Sequence, residues 1–192
     1  MKSLSLLCGI IVAGSLTVPR DGVCQDSKGK PAVVPVDAPG LEHKQMESLA
    51  GKWDVEVTYI IEGKERKGKA ESEAHWILDG RFLQQEYKSN FMGKPFNVIQ
   101  LLGYDNQKKK TIEIKMDNLS TAVMHNEGSI SKDGKIITNE GEYPDRVTNK
   151  MTKLRTVITI VDQDHYTLEW FKPGADGKEE KVVSMMHVRR KS

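Results

Sequence analysis

From Lys52 onward, apolar and polar side chains alternate with a period of two, and turn residues interrupt the alternation at regular intervals. The pattern predicts ten strands, at 52–61, 66–78, 81–91, 96–105, 110–117, 121–131, 135–143, 153–162, 165–172 and 180–190. Asp79-Gly80 carries the signature of a type I′ hairpin and Gly93-Lys94 suits type II′. Asp133-Gly134, Asp176-Gly177, Gly63 and Asn106 mark further turns. Short sequential hairpins imply an all-β, antiparallel up-and-down meander. A sheet of that size closes most economically into a barrel, which removes its exposed edges. No strand–helix–strand alternation is present, which disfavours a parallel α/β fold.

Two of the turns allow a register to be derived. With a two-residue loop at Asp79-Gly80, Leu78 faces Arg81, Trp76 faces Leu83, Ala74 faces Gln85 and Ser72 faces Tyr87. Continuing through Gly93-Lys94, Phe91 faces Phe96, Tyr87 faces Gln100, Gln85 faces Leu102 and Leu83 faces Tyr104. Side chains so paired share one side of the sheet. That side holds Trp76, Leu83, Phe91, Phe96, Val98, Leu102 and Tyr104, while Glu71, Glu73, His75, Glu86 and Lys88 take the other. The first is the interior. It also carries Ser72, Gln85, Tyr87 and Gln100, a polar patch between aromatic layers. Buried amides and phenols without partners cost about 1–3 kcal/mol each. They therefore form an internal network with ordered water, or they orient a ligand in an aromatic-walled pocket, with Trp76 and Tyr104 in its lining.

The strands start at Leu49-Ala50-Gly51-Lys52-Trp53. Gly51 lets the backbone turn tightly into the first strand. Trp53 offers a large apolar plate for the closed end of the barrel, and Arg189 or Arg190, from the last predicted strand, could cap it by a cation–π contact. A Gly-x-Trp is also common by chance, and a core aromatic after a turn is the plainer alternative. Before it, Leu41, Met46 and Leu49 suit one short helix. Ile77, Phe82, Ile99 and Leu101 point outward and lie close together. They form either the seat of that helix or a partner surface, such as a homodimer contact.

Residues 1–24 have the form of a secretory signal peptide: Lys2, an apolar run from Leu4 to Val12, and cleavage after Ser15 or after Cys24. The run is too short for a membrane span. Residues 25–40, with prolines at 31, 35 and 39, read as a flexible tether, leaving 41–192 as the barrel domain. The expected location is periplasmic or extracellular. Both cysteines, Cys8 and Cys24, precede the domain, so it has neither an internal disulfide nor a cysteine nucleophile. Formal net charge is +2 with mixed signs throughout, and the short basic clusters sit at turns. A nucleic-acid binder would show a one-sided basic face with stacking aromatics.

Reactive motifs are missing: no nucleophile elbow, no His-Glu-x-x-His, no phosphate-cradling loop and no dinucleotide fingerprint. Asp162-Gln163-Asp164 lacks the glycine and distal glutamate of a calcium loop. The five histidines are scattered singly, so no metal site or cofactor is expected. His187, in the last predicted strand, is the one a barrel could present to a haem. The derivable inner face contains no carboxylate pair for acid–base work.

Several stretches together resemble a bacterial exported family known only as a domain of unknown function. They are Leu49 to Trp53, Trp76-Ile77-Leu78-Asp79-Gly80-Arg81-Phe82-Leu83-Gln84-Gln85-Glu86-Tyr87, Gly93-Lys94-Pro95-Phe96, and Leu101-Leu102-Gly103-Tyr104-Asp105-Asn106. The resemblance runs from about Leu41 to Lys191 and implies a lipocalin-like (calycin) barrel with no established activity. Gly51-x-Trp53 and a terminal basic residue are similar to lipocalins more widely, which implies binding of a small apolar or amphipathic molecule. The other lipocalin motifs and a domain disulfide are missing. A weaker similarity to nitrobindin-like haem barrels rests on His187. The expected function is non-catalytic binding. An interaction module using the outer apolar patch is the rival, and an isomerase- or hydrolase-like enzyme is a third course, since fold does not decide function.

Overall fold

The computed structural model describes residues 37–61, 63–145, 150–174 and 176–191. The proposed signal peptide and most of the tether, with both cysteines, lie outside the described residues. Asp37–Ser192 forms one compact unit. A short helix, α1 (Leu41–Gln45), and a 3-10 turn (Glu47–Leu49) precede ten strands. These are β1 (Gly51–Ile61), β2 (Lys64–Ile77), β3 (Phe82–Phe91), β4 (Lys94–Asp105), β5 (Lys110–Asp117), β6 (Met124–Ile130), β7 (Ile136–Asp145), β8 (Lys150–Ile160), β9 (His165–Pro173) and β10 (Glu179–Arg189). Each strand pairs antiparallel with its sequence neighbour, and β10 returns to β1, closing the barrel. The up-and-down order puts α1 and the start of β1 at one end. The ends of β1, β3, β5, β7 and β9 and the starts of β2, β4, β6, β8 and β10 lie at the other, open end.

Both hairpins that set the register differ from expectation in detail. The β2–β3 loop has four residues, Leu78 to Arg81, closed by Ile77 opposite Phe82. Leu78, Asp79 and Gly80 all have positive φ, at 49°, 56° and 79°. The loop is centred where a two-residue one would be, so the partners along β2 and β3 are those derived from the sequence. In the second hairpin the turn is Met92-Gly93, with φ of 51° and 82°, a type I′ geometry one residue earlier than Gly93-Lys94. Phe91 therefore faces Lys94, Tyr87 faces Val98, Gln85 faces Gln100 and Leu83 faces Leu102. The pairing moves by two residues, one full pleat, so every side chain keeps its face.

The closed end is sealed by α1 and Trp53. Met46 and Leu49 are buried in one cluster with Trp53, Val55, Leu83 and Leu168. The helix thus enters the barrel end instead of lying on the outer wall, and Leu41 remains 66% exposed. The backbone dictates this seat: the Trp53 indole donates to the Leu49 carbonyl at 3.1 Å, which ties the 3-10 turn to the first strand. Gly51 has φ of 130°, and a Cβ there would collide with the Arg189 guanidinium. That close approach lets Arg189 reach over the indole.

Candidate functional site

Among the described residues, the barrel interior holds two polar networks and a small cavity. In the first network, Gln85 Nε2 donates to Ser72 Oγ at 3.0 Å and to Tyr166 Oη at 2.6 Å. Tyr166 stacks on the His187 ring at 3.9 Å between centroids, and His187 Nε2 lies 3.1 Å from Tyr87 Oη. All five side chains are buried. Burial pushes the His187 pKa down to about 3, against a smaller pull upward from the backbone of Tyr166 and Met185. The ring is therefore neutral at physiological pH. Burial likewise raises the Tyr87 phenol well above its ordinary range, with Tyr166 adding to the effect.

The second network belongs to β5, whose faces are reversed. Its alternation of Ile112, Ile114 and Met116 with Thr111, Glu113 and Lys115 suggests isoleucines inside. Instead Thr111 and Glu113 are fully buried and Lys115 is 5% exposed, while Met116 is 36% exposed. Glu113 Oε2 accepts from Asn126 Nδ2 and from Thr156 Oγ1, both at 2.8 Å. Its Oε1 faces Lys115 Nζ at 3.4 Å. Thr111 Oγ1 bonds Asn139 Oδ1 at 2.6 Å. That contact spans β6, because Gly128 stands between the two residues in the sheet and contributes no side chain. Gly141, opposite Asn126, gives the Asn126 amide its room in the same way. Glycine inside a strand often marks such a close approach, and these two glycines are the one sequence signal by which the network could have been found.

Lys115 leads from this network into the cavity at the open end. Its Nζ lies 4.2 Å from the Trp170 ring centroid. Burial lowers the Lys115 pKa, and the charge of Glu113 offsets part of that shift. The cavity holds about 40 Å³ and opens outward. Val57, Ala70, Phe96, Val98 and Met185 supply apolar walls, with Tyr87, Lys115 and Asp117 as polar groups. About 10–15 Å³ suffices for one water, so the enclosed part takes a head group and no more. Trp170 Nε1 and Gln100 Oε1 are buried without a hydrogen-bond partner.

The expected pocket residues fall in three places. Tyr87 lines the open-end cavity. Ser72 and Gln85 lie in the first network, and Gln100 is 1% exposed between Gln85 and Lys115. Trp76 and Tyr104 sit at the closed end against His43, at 6.3 and 6.2 Å between ring centroids. Arg189 stacks over Trp53 at 4.2 Å, and its guanidinium donates to the carbonyls of Ala50, Ser48 and Gln163. Sequence reasoning missed Glu113, Lys115, Asn126, Asn139, Thr156, Tyr166 and Trp170. His187 does not fit the role of a haem ligand. Tyr166 covers one face and Tyr87 occupies Nε2. Among the described residues, no group of three or more His, Cys, Asp or Glu side chains could hold a metal ion, and no helix is long and apolar enough to cross a membrane.

The closed antiparallel barrel with a Trp plug, an N-terminal helix at one end and a cavity at the other is a lipocalin-like barrel. The chain belongs to the family described as "Protein of unknown function (DUF1579)", whose model matches residues 38–190. Among solved structures, Rv2717c from M. tuberculosis is similar at a TM-score of 0.59 and 12% identity, over 80% of this chain and 100% of that one. The S-type phycobiliprotein lyase CPES from Guillardia theta is similar at a TM-score of 0.54 and 13% identity, over 80% and 99%. At these identities the likeness is one of fold. No curated protein matches this chain in sequence.

Proposed function

We propose that this is an exported binding barrel that takes one small apolar or amphipathic molecule at its open end. The observation that carries the reading is the cavity between Val57, Ala70, Phe96, Val98 and Met185, floored by Tyr87 and Lys115. Apolar walls with a few convergent polar groups are what small-molecule sites use. Because the enclosed volume is about 40 Å³, the ligand enters head first and leaves the rest of its length in the mouth. A barrel of similar fold serves in a phycobiliprotein lyase, which supports a molecule-holding role without naming the molecule. Native mass spectrometry of protein from its own host tests this, with a co-purifying organic molecule as the expected result. Empty protein, together with no response to a lipid and metabolite screen, would overturn it. Export of the chain is tested by N-terminal sequencing of the mature protein, with cleavage after Ser15 or Cys24 expected.

A second reading, a homodimer, draws on the outer wall. Ile77, Phe82, Ile99 and Leu101 continue onto β5, where Leu101 pairs with Ile114 and Ile99 with Met116. The reversed strand thus widens an apolar face on which Ile99 is 41% exposed. A contiguous apolar patch of this kind suits a second copy of the chain. Sedimentation equilibrium should give a dimer that Ile114→Lys dissociates; a monomer at all concentrations would remove this reading.

A further inference from the structure

The cavity floor carries a buried amine, and its surroundings favour one ligand chemistry over another. Lys115 is 5% exposed and borders the cavity. Its neighbours on the inner face of β5 are Glu113, 3.4 Å from Nζ, and Asp117 at the mouth. Glu113 already balances the ammonium, which leaves no surplus positive charge to draw in a ligand carboxylate. A neutral carbonyl needs none. The Trp170 indole N–H, buried and unpartnered, supplies a spare donor in the same wall.

We infer that Lys115 is a covalent anchor for an apolar aldehyde, which it holds as an imine with the hydrocarbon tail between Val57, Phe96 and Met185. This rests on the binding role proposed above and names the ligand class. A desolvated lysine is an established kind of carbonyl nucleophile. Glu113 takes a proton from the ammonium. The freed lone pair attacks the carbonyl carbon, the C=O π pair moves onto oxygen as the C–N bond forms, and one N–H proton passes from the nitrogen to that oxygen to give a neutral carbinolamine. The same carboxyl group returns its proton to the hydroxyl, the C–O bond breaks, water leaves through the mouth, and the C=N bond is complete. Oxidation states do not change, and no further reactant is needed. The depressed pKa of Lys115 acts in the same direction, since it raises the share of free amine at neutral pH.

The test uses the full chain at pH 7 with hexanal and cyanoborohydride, followed by intact mass and peptide mapping. In parallel, uncharged N-phenylnaphthylamine reports on apolar binding in the mouth by fluorescence. Expected are dye binding to the unaltered protein, one early adduct on Lys115 formed several-fold faster than on any surface lysine, and loss of that adduct in Lys115→Arg. Dye binding with adducts spread over surface lysines and none favoured at Lys115 would overturn the imine while leaving the binding barrel in place. Failure of both dye and Lys115 labelling would overturn both. If Lys115→Arg does not fold, the mapped adduct in the unaltered protein decides alone.

Discussion

The guanidinium of Arg189 lies over the indole of Trp53 at 4.2 Å and donates to three backbone carbonyls from two separate segments, Ser48 to Ala50 and Gln163. One side chain from the last strand therefore holds the entry turn, the β8–β9 connection and the plug together. Trp53 is 1% exposed, so Trp53→Ala should cost about 3–5 kcal/mol. Arg189→Lys keeps the charge but loses the fork, and about 1–3 kcal/mol is expected. Urea unfolding of the two variants and their double mutant measures the coupling. A sum of single effects with no coupling would mean the stack contributes nothing.

His187 should make stability depend on acid. Its folded pKa of about 3 lies below the unfolded value of 6.5, so the unfolded chain binds more protons between them. Stability from keeping the ring neutral is complete above pH 6.5 and declines as pH falls toward 3, by at most about 5 kcal/mol. His187→Phe keeps an aromatic plate against Tyr166 and removes the proton. It should lower stability at pH 7 by about 1–3 kcal/mol, because Tyr87 loses its partner. It should also flatten the slope between pH 6.5 and 4 in denaturant unfolding; an unchanged slope would assign the acid sensitivity elsewhere.

The strands, their order and the inner face of β2 to β4 were legible in the sequence because parity survives error. A turn misplaced by one residue at Gly93-Lys94 moved the partners along the strand without turning any side chain over. The site lay mostly beyond that reach. Polar residues at 111, 113 and 115 alternate with Ile112, Ile114 and Met116, and a pattern alone assigns the isoleucines to the core. Tertiary context decides otherwise: Asn126, Asn139 and Thr156 approach Glu113 and Thr111 from three other strands. Those partners have no sequence-local mark except the glycines that make room for them.

Glu113 and Lys115 should behave as a buried pair. Glu113→Ala leaves an uncompensated interior cation, at a cost of about 3–5 kcal/mol. Replacing both by apolar residues, Glu113→Leu with Lys115→Met, should recover most of that loss, since a well-packed apolar pair needs no partners. Thermal and urea unfolding of the single and double variants checks this. A double variant as unstable as the single one would show that Asn126 and Thr156, which lose their acceptor, account for the cost.

Two glycines within strands should respond in opposite ways to one added methyl. At Gly128 a Cβ would run into the carbonyl of Thr138 and the backbone of Asn139, neither of which can turn aside. Gly128→Ala must therefore push β6 away from β7, which also stretches the Thr111–Asn139 bond across the gap. Overpacking of this kind costs at least about 1–3 kcal/mol. At Gly68 the nearest atom to a Cβ is a Tyr59 ring carbon at 3.7 Å, an ordinary contact, and φ is not positive. Gly68→Ala should be neutral, or stabilising by about 0.5 kcal/mol, through reduced freedom of the unfolded chain. Matched unfolding curves decide it. A harmless Gly128→Ala would mean that β6 can leave the wall, and that the polar network behind it is not held by the sheet.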